Sequence, residues 1–289
     1  MPPSDEKDLR FDRAGKPAKT PRCLFCGSTS AKRSREHVLR KAFKSRFPSA
    51  PTLSFARQWS SGVEVTEVPI TQFDLIVKDV CRECNQGWLN DLENLVEETI
   101  DDLIDGRRGR PLATAEIQSL GLWAFVRSLL LTYLNPRGRV PQEIFEQVYR
   151  ERKVPPGCYV QLAASTHSVW EAGSHQSVRI NPGEHYLGFV AFGLDALLFL
   201  TSICDSSPDA SLLSLDVSRQ PRLWFPGSFR WLAPPEVIEA PLRLLSGSQA
   251  QVAGVSLALR RGLMTPVDQL GQALAPLDVI PERFHSGLS

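Results

Sequence analysis

The 289-residue sequence lacks a hydrophobic run long enough to span a membrane. Its longest apolar stretch, residues 187–204, is interrupted by Asp195 and two glycines. Its first ten residues, MPPSDEKDLR, carry five charged side chains, too many for a signal peptide. We therefore expect two buried strands around a Gly-Leu-Asp turn at 187–204, no membrane association, and a reducing cytoplasmic compartment.

The chain also has almost no net charge, at +1, but its charges are unevenly distributed. Residues 1–50 contain thirteen Lys or Arg against five Asp or Glu, whereas residues 91–105 contain seven acids and no base. A basic first part favours a polyanionic partner such as nucleic acid. We expect the acidic segment to be set apart from it.

Prolines, glycines and hydrophobic periodicity divide the chain into three parts. Residues 1–20 are polar and aperiodic, which predicts a flexible basic arm. Residues 21–106 form a compact unit, with short strands predicted within 47–71 and an amphipathic helix over 88–104. Residues 111–289 form a second domain with a different pattern of predicted helices and strands.

This second domain begins with helices and continues as β-structure. Spacing and stop signals predict a buried helix over 114–134 with Thr114 as its N-cap, a helix over 142–152, and a short one over 236–245. Strands are predicted at 159–164, 177–180, 186–192, 196–203 and 222–225. The predicted class is α+β, with an N-terminal unit followed by a helical segment and a mainly antiparallel β C-terminal domain.

Cysteine is scarce, and four of the six cysteines stand in two matched pairs. Cys23 and Cys26 form one C-x-x-C knuckle, and Cys81 and Cys84 form a second after 54 intervening residues. Two such knuckles supply four thiolates, which close a tetrahedral zinc site with no open position. The sequence therefore predicts a structural zinc ion, the alternative being four unrelated buried thiols. The two remaining cysteines are interpreted as core residues.

An acid-histidine pair lies between the knuckles, in the segment REHVL at 35–39, and Asn85 directly follows the second knuckle. In this pattern residues 21–93 resemble the HNH, or ββα-metal, endonucleases that carry a four-cysteine zinc ion. The segments GWLNDLE at 87–93, WAFV at 123–126 and VPPG at 154–157 are similar to an uncharacterised bacterial group of HNH proteins. The resemblance implies a zinc-stapled ββα-metal (HNH) nuclease domain at 21–106.

The resemblance also implies the roles of three residues. Glu36 and Asn85 would hold one divalent ion, and His37 would act as the general base. Carboxylate and carboxamide oxygens suit Mg²⁺ or Mn²⁺, and a histidine can accept a proton from water near neutral pH. Because neighbouring side chains on a strand point to opposite faces, Glu36 and His37 can serve one centre only if the strand is bent or twisted there.

Two positions depart from the family pattern. Ile76 stands where the family has a bracing asparagine, and Asp79 or Asn90 is the expected replacement. Leu89 stands where some members have a further histidine, which leaves Asn90 and Asp91 as the nearest additional ligands of the ion.

Basic side chains cluster around the acid-histidine pair. Alone they would be a solvated face, but beside a phosphodiesterase centre we expect them to contact phosphates without reading base sequence. They are Arg33, Arg35, Arg40, Lys41, Lys44 and Arg46. Glu93, by contrast, is expected to make a structural contact within its helix.

Together these features predict a metal-dependent endonuclease that hydrolyses DNA, with RNA as a weaker alternative substrate, in the bacterial or phage defence setting that the resemblance implies. The alternative is a zinc module whose HNH centre has decayed and which binds nucleic acid or a protein partner without cleavage. Residues 111–289 contain no recognisable catalytic motif. Formation of a homodimer, substrate positioning and regulation all stay open for them.

Overall fold

The computed structural model describes residues 22–48, 50, 53–59, 62–68, 70–106, 111–134, 140–166, 174–180, 185–205, 211, 215, 218–219, 230–236, 238 and 244–245. The predicted basic arm at 1–20 and the predicted strand at 222–225 lie outside the described residues.

The first part of the chain contains a two-stranded antiparallel sheet. Strand β1 (Arg33–His37) is followed by the short helix α1 (Phe43–Arg46), the hairpin β2 (Leu53–Trp59) and β3 (Gly62–Val68), a 3₁₀ turn (Gln72–Asp74) and β4 (Ile76–Cys81). Strand β4 pairs with β1, and β2 with β3. The hairpin confirms the short strands predicted within 47–71.

A β-bulge interrupts the pairing of β1 with β4 beside the acid-histidine pair. Ser34 lies opposite Val80, but Glu36 lies opposite Val77, so the register shifts between Ser34 and Glu36. A bulge bends and twists a strand locally. The distortion that the sequence requires for Glu36 and His37 to serve one centre is therefore present next to them.

The second knuckle leads directly into the helical part of this unit. Helix α2 (Arg82–Cys84) continues through a π-helical turn (Asn85–Leu89) into α3 (Asn90–Ile104). Gly87 leaves helical geometry at φ −95° and ψ −117°, so the predicted helix over 88–104 begins as a regular α-helix only at Asn90. Its buried residues recur three or four positions apart, which gives it one apolar face.

A six-stranded sheet forms most of the second part. Helices α4 (Thr114–Tyr133) and α5 (Gln142–Glu151) precede β5 (Tyr159–Ser165), β6 (Ser174–Ile180), β7 (His185–Leu194), β8 (Leu197–Cys204), β9 (Arg230–Ala233) and β10 (Leu244–Leu245). The order is β10-β5-β8-β7-β6, with β9 also pairing with β5. Only the pairing of β10 with β5 is parallel among the described strands. This mixture of helices and antiparallel sheet confirms the α+β class.

Several local predictions for this part are confirmed and two are wrong. The stretch 187–204 forms two strands around a turn at Asp195, whose φ is 51°. Ala113, rather than Thr114, caps α4, because its backbone N–H donates to Glu116 Oε2 at 2.7 Å. The helix predicted over 236–245 is wrong at residues 244–245, which pair with the edge of β5, whereas residues 237 and 239–243 lie outside the described residues. This edge supplies backbone partners that outweigh the weak propensity of a short helix.

Helix α4 is the central element of the molecule. It contacts α3 on one side and strands β5, β7, β8 and β9 on the other, and 13 of its 20 residues are buried. The hydrophobic core consequently runs without interruption from the zinc knuckles to the large sheet. None of the helices in the described part of the chain is long and apolar enough to cross a membrane.

Candidate functional site

The four knuckle cysteines converge on one point. Their sulfur atoms all lie within 4.8 Å of one another, and Cys26 Sγ is 3.6 Å from Cys81 Sγ. In a tetrahedral zinc site with Zn–S bonds of 2.3 Å, the sulfurs are separated by about 3.8 Å. The cluster therefore has the composition and nearly the dimensions of a closed structural zinc site, which confirms that the four cysteines come together so that they could hold zinc.

Backbone contacts explain how two knuckles so distant in sequence meet. Arg33 pairs with Cys81 in the small sheet, and the N–H of Leu24 donates to the carbonyl of Asp79 at 2.8 Å. Gly27 takes φ 71°, a left-handed conformation that costs glycine little, and its N–H donates to the carbonyl of Cys23 at 3.0 Å. These bonds turn both knuckles toward the same point.

The thiols are too crowded to ionise together without a cation. A hydrogen bond from Cys84 is the main cause that lowers the pKa of Cys23 to about 4, whereas burial is the main cause that raises the pKa of Cys81 to about 12. A divalent metal supplies the positive charge that allows all four thiolates to form. The donor set thus fits Zn²⁺.

Glu36 lies in the interior of the protein, on the strand whose first residue, Arg33, pairs with Cys81. It is 5% exposed, and its Oε1 accepts a hydrogen bond at 3.0 Å from Nη1 of Arg127, which is fully buried on α4. Burial raises the pKa of Glu36 to about 7, although the charge of Arg127 opposes this shift. Glu36 is therefore already paired with a cation that belongs to the protein.

Arg127 contacts the centre at several points, and the sequence reasoning missed it. Its Nη1 also lies within hydrogen-bond distance of the carbonyls of His37 and Val38, at 3.0 and 3.1 Å, and of Glu93 Oε1, at 3.2 Å. Its Nε and Nη2 have no hydrogen-bond partner among the described residues. A single arginine in the apolar segment WAFVRSLLL was the available signal, because a buried arginine requires an acidic partner.

The contact of Glu93 also differs from its prediction. We expected Glu93 to make a structural contact within α3, but it forms an ion pair with Arg127 on α4. The reason is geometric, since α3 and α4 pack against each other and Glu93 is only partly exposed, at 14% of its side chain. Glu36 and Glu93, from two different elements, thus share one guanidinium nitrogen.

His37 is half-buried at the end of β1. Its pKa is lowered below the ordinary 6.5, first by burial and then by the positive charge of Lys41, with Glu93 and Asp74 acting in the opposite direction. A lowered pKa keeps the imidazole neutral at pH 7, which is the form that accepts a proton.

Asn85 braces the bulged strand. Its Nδ2 donates to Ser34 Oγ at 2.9 Å and to the carbonyl of Arg35 at 3.1 Å. It therefore performs the bracing role that we expected of Asp79 or Asn90. Asp79 instead accepts a hydrogen bond from the hydroxyl of Tyr133 on α4.

The predicted ligands of Mg²⁺ or Mn²⁺ do not form an open metal site. Glu36 is held by Arg127, and the amide nitrogen of Asn85 is held by β1. Asn90 is half-buried at the start of α3, and Asp91 is exposed. Within the described ranges, the four cysteines, and no other group of three or more His, Cys, Asp or Glu side chains, lie close enough together to hold one ion. The arrangement fits zinc on the cysteines and does not fit a second ion on Glu36.

The acidic segment is not set apart from the basic part, so that expectation is wrong. Arg40 pairs with Glu97 at 2.6 Å, and Arg46 pairs with Asp101 at 3.0 Å and with Asp105 at 3.2 Å. The segment around α1 lies against α3, and opposite charges meet across that contact. Two of the six predicted phosphate contacts therefore already have acidic partners.

The other four predicted phosphate contacts differ in their surroundings. Lys44 pairs with Asp74 at 2.7 Å. Arg35 and Lys41 are exposed on either side of His37 in the sequence. Arg33 is half-buried, and its two terminal nitrogens have no hydrogen-bond partner in the described part of the chain. Arg35 and Lys41 are thus the exposed members of the six that flank His37 most closely in the sequence.

Trp88 joins the zinc unit to α5. Its ring lies 5.1 Å from that of Phe25 in the first knuckle, with an edge-on geometry. On α5, Tyr149 contacts the same tryptophan, and the guanidinium of Arg152 lies 4.2 Å from its ring centroid. Through these contacts Trp88 packs between the first knuckle and residues of the second part.

No family model, curated protein or solved structure matches the chain. The likeness to HNH endonucleases therefore rests on the residues themselves: the two knuckles, the acid-histidine pair and the asparagine that follows the second knuckle.

Proposed function

We propose that the protein is an endonuclease of the HNH type, in which a structural Zn²⁺ on the four cysteines stabilises the nuclease unit and His37 is the general base. DNA is the proposed substrate. The observation that carries the proposal is the setting of His37. Its imidazole is kept neutral by a lowered pKa, it ends a bulged strand whose other end pairs with Cys81 of the four-cysteine site, and exposed cations flank it in the sequence.

The proposed reaction is hydrolysis of a phosphodiester bond. Neutral His37 takes a proton from water as the water oxygen bonds to phosphorus, the bond from phosphorus to the 3′-oxygen breaks, and that oxygen takes a proton from solvent. Arg35 and Lys41 hold the phosphate by charge. The HNH enzymes that the sequence resembles use a divalent ion, but Glu36 is engaged by Arg127 here, so we assign no step to such an ion.

A second candidate is a zinc module that binds nucleic acid or a protein without cleaving it. The pairing of Glu36 with Arg127 favours this candidate, because the acid of the acid-histidine pair is then structural.

Cleavage of supercoiled plasmid separates the two candidates. Wild-type protein, His37→Ala and His185→Ala would be incubated with plasmid, with and without Mg²⁺ or Mn²⁺. His185 is a matched control, since it is also half-buried at a strand end and pairs with Asp205 at 3.6 Å, far along the chain from the knuckles. The proposal expects cleavage by wild type and His185→Ala but not by His37→Ala. Equal inactivity of all three proteins with retained plasmid binding would favour the binding module.

A further inference from the structure

We infer that Arg127 is an internal cation of the acid-histidine centre, which holds Glu36 and Glu93 in place of a divalent ion and fixes the backbone that carries His37. The inference about the cation stands on geometry alone. Its consequence for cleavage rests on the proposed function.

Two carboxylates share one nitrogen of Arg127. Arg127 Nη1 is 3.0 Å from Glu36 Oε1 and 3.2 Å from Glu93 Oε1. Glu36 comes from β1, Glu93 from α3 and Arg127 from α4, so three elements meet at this point. Two carboxylates close together in the interior repel each other unless a cation lies between them.

A divalent ion held between Glu36 Oε1 and Glu93 Oε1 would occupy the position of this nitrogen. An ion such as Mg²⁺ would have to approach the same two oxygens to about 2.0–2.1 Å. Arg127 is fully buried, so its guanidinium cannot move out to solvent without opening the contact between α3 and α4. As long as the helices stay packed, the positive charge on Glu36 comes from the chain itself.

The same nitrogen also holds the backbone next to His37. It is buried, and it lies 3.0 Å from the carbonyl oxygen of His37 and 3.1 Å from that of Val38. These carbonyls belong to the two peptide groups that follow the Cα atoms of His37 and Val38, immediately after β1. Arg127 thereby sets the direction in which the chain leaves the strand and presents the imidazole. Arg127 is a positioning residue in this account, because it touches no reacting atom.

Binding of Mn²⁺ tests the internal cation without nucleic acid. Zinc-loaded full-length protein would be titrated with Mn²⁺, with free Mn²⁺ measured by electron paramagnetic resonance. We expect Glu36→Gln to leave Mn²⁺ binding unchanged from wild type, because Glu36 is not a metal ligand. Weakening of Mn²⁺ binding by about tenfold or more in Glu36→Gln would overturn the inference, since one well-placed ligand contributes on that order.

Removal of the guanidinium gives the converse test. In Arg127→Met the two carboxylates lose their cation, so we expect a Mn²⁺ site that wild type lacks and that disappears again in Arg127→Met/Glu36→Gln. A folded Arg127→Met protein with no gain of Mn²⁺ binding would contradict the inference. If Arg127→Met does not fold, the comparison of Mn²⁺ binding between Glu36→Gln and wild type still decides whether Arg127 replaces a divalent ion.

Cleavage kinetics test the positioning of His37. We expect Arg127→Lys, which keeps the charge but carries it on a shorter and more flexible side chain, to lower kcat by about 100-fold with little change in KM, because misplacement of a catalytic group by about 1 Å costs on this order. Arg150→Lys, on the exposed face of α5, is the matched control and should leave both constants unchanged. A loss confined to KM would contradict the positioning role. If wild type does not cleave at all, the proposed function fails, while the Mn²⁺ measurements still decide the internal cation.

Discussion

The chemistry at the residue scale depends on charges that meet inside the protein. Glu36, Glu93 and Arg127 come from three elements and form a group of two carboxyl groups and one guanidinium. Such a group is costly to leave incomplete, because an isolated buried charge has lost its water without gaining a partner. The consequences are measurable as stability, independently of any activity.

Removal of Arg127 should destabilise the protein strongly. We expect Arg127→Met to lower the free energy of unfolding by about 3–5 kcal/mol, because it leaves Glu36 buried without its cation. The matched change Arg150→Met on an exposed helix face should cost no more than about 0.5 kcal/mol. Urea unfolding of the three proteins measures both values. Equal stability of the two variants would show that the buried pair contributes nothing.

Glu36 should also make stability depend on pH. Its pKa of about 7 in the folded protein lies above its ordinary value of 4.5, so the folded protein keeps a proton that the unfolded chain has released. Binding of this proton stabilises the folded protein at low pH. The free energy of unfolding therefore falls by on the order of 3 kcal/mol as the pH rises from about 4.5 to 7. Unfolding in urea at several pH values should show this slope in wild type and a flatter one in Glu36→Gln. An identical slope in both proteins would assign the pH dependence to other groups.

At the scale of elements, the geometry of the centre depends on how β1 is held. The bulge between Ser34 and Glu36 is stabilised from α2 and the π-helical turn by the amide group of Asn85. An amide is required there because its nitrogen donates to a hydroxyl and to a backbone carbonyl, and a carboxylate has no such donor.

The change Asn85→Asp should therefore be costly although it alters a single group. We expect a loss of about 1–3 kcal/mol in the free energy of unfolding, because a carboxylate would face the carbonyl of Arg35. Asn90→Asp is the matched control, since it makes the same isosteric change at another half-buried asparagine five positions along the chain. Thermal unfolding monitored by circular dichroism compares the two. The prediction fails if Asn90→Asp is the more destabilising change.

The elements also show what sequence could and could not predict. Helices α3, α4 and α5 and the strand pair at 187–204 were predictable because periodicity and turn residues are local signals. Strand β10 was not, because its partner β5 lies about 80 residues earlier. Knuckle spacing predicted the zinc site, but no local pattern shows that Arg127 would meet Glu36, 91 residues away in sequence.

At the scale of the whole molecule, the zinc unit and the second part share one core. Residues of α5 cover the first knuckle, α4 contributes Arg127 to the centre, and buried side chains are continuous from Cys23 to Ile238. Loss of the metal should consequently affect the stability of the entire chain rather than that of one end.

Metal analysis tests this integration. We expect one zinc ion per chain, lost in Cys81→Ser/Cys84→Ser together with cooperative folding, because binding free energy of a structural zinc ion is folding free energy. Cys158→Ser is the matched control, since Cys158 is equally buried but lies outside the cluster. It should keep its zinc. Retention of zinc by the double variant would contradict the four-cysteine assignment.

The central claim is that the neutral imidazole of His37 is the general base. A pH–rate profile tests this role most directly. Single-turnover cleavage of DNA by wild-type protein would be measured across the pH range, beside the titration of His37 followed by nuclear magnetic resonance. We predict that cleavage is lost as the pH falls through the pKa of His37, and that this pKa lies below 6.5, because burial and Lys41 lower it. A rate that does not follow the titration of His37, or cleavage that persists in His37→Ala, would contradict its role as the base.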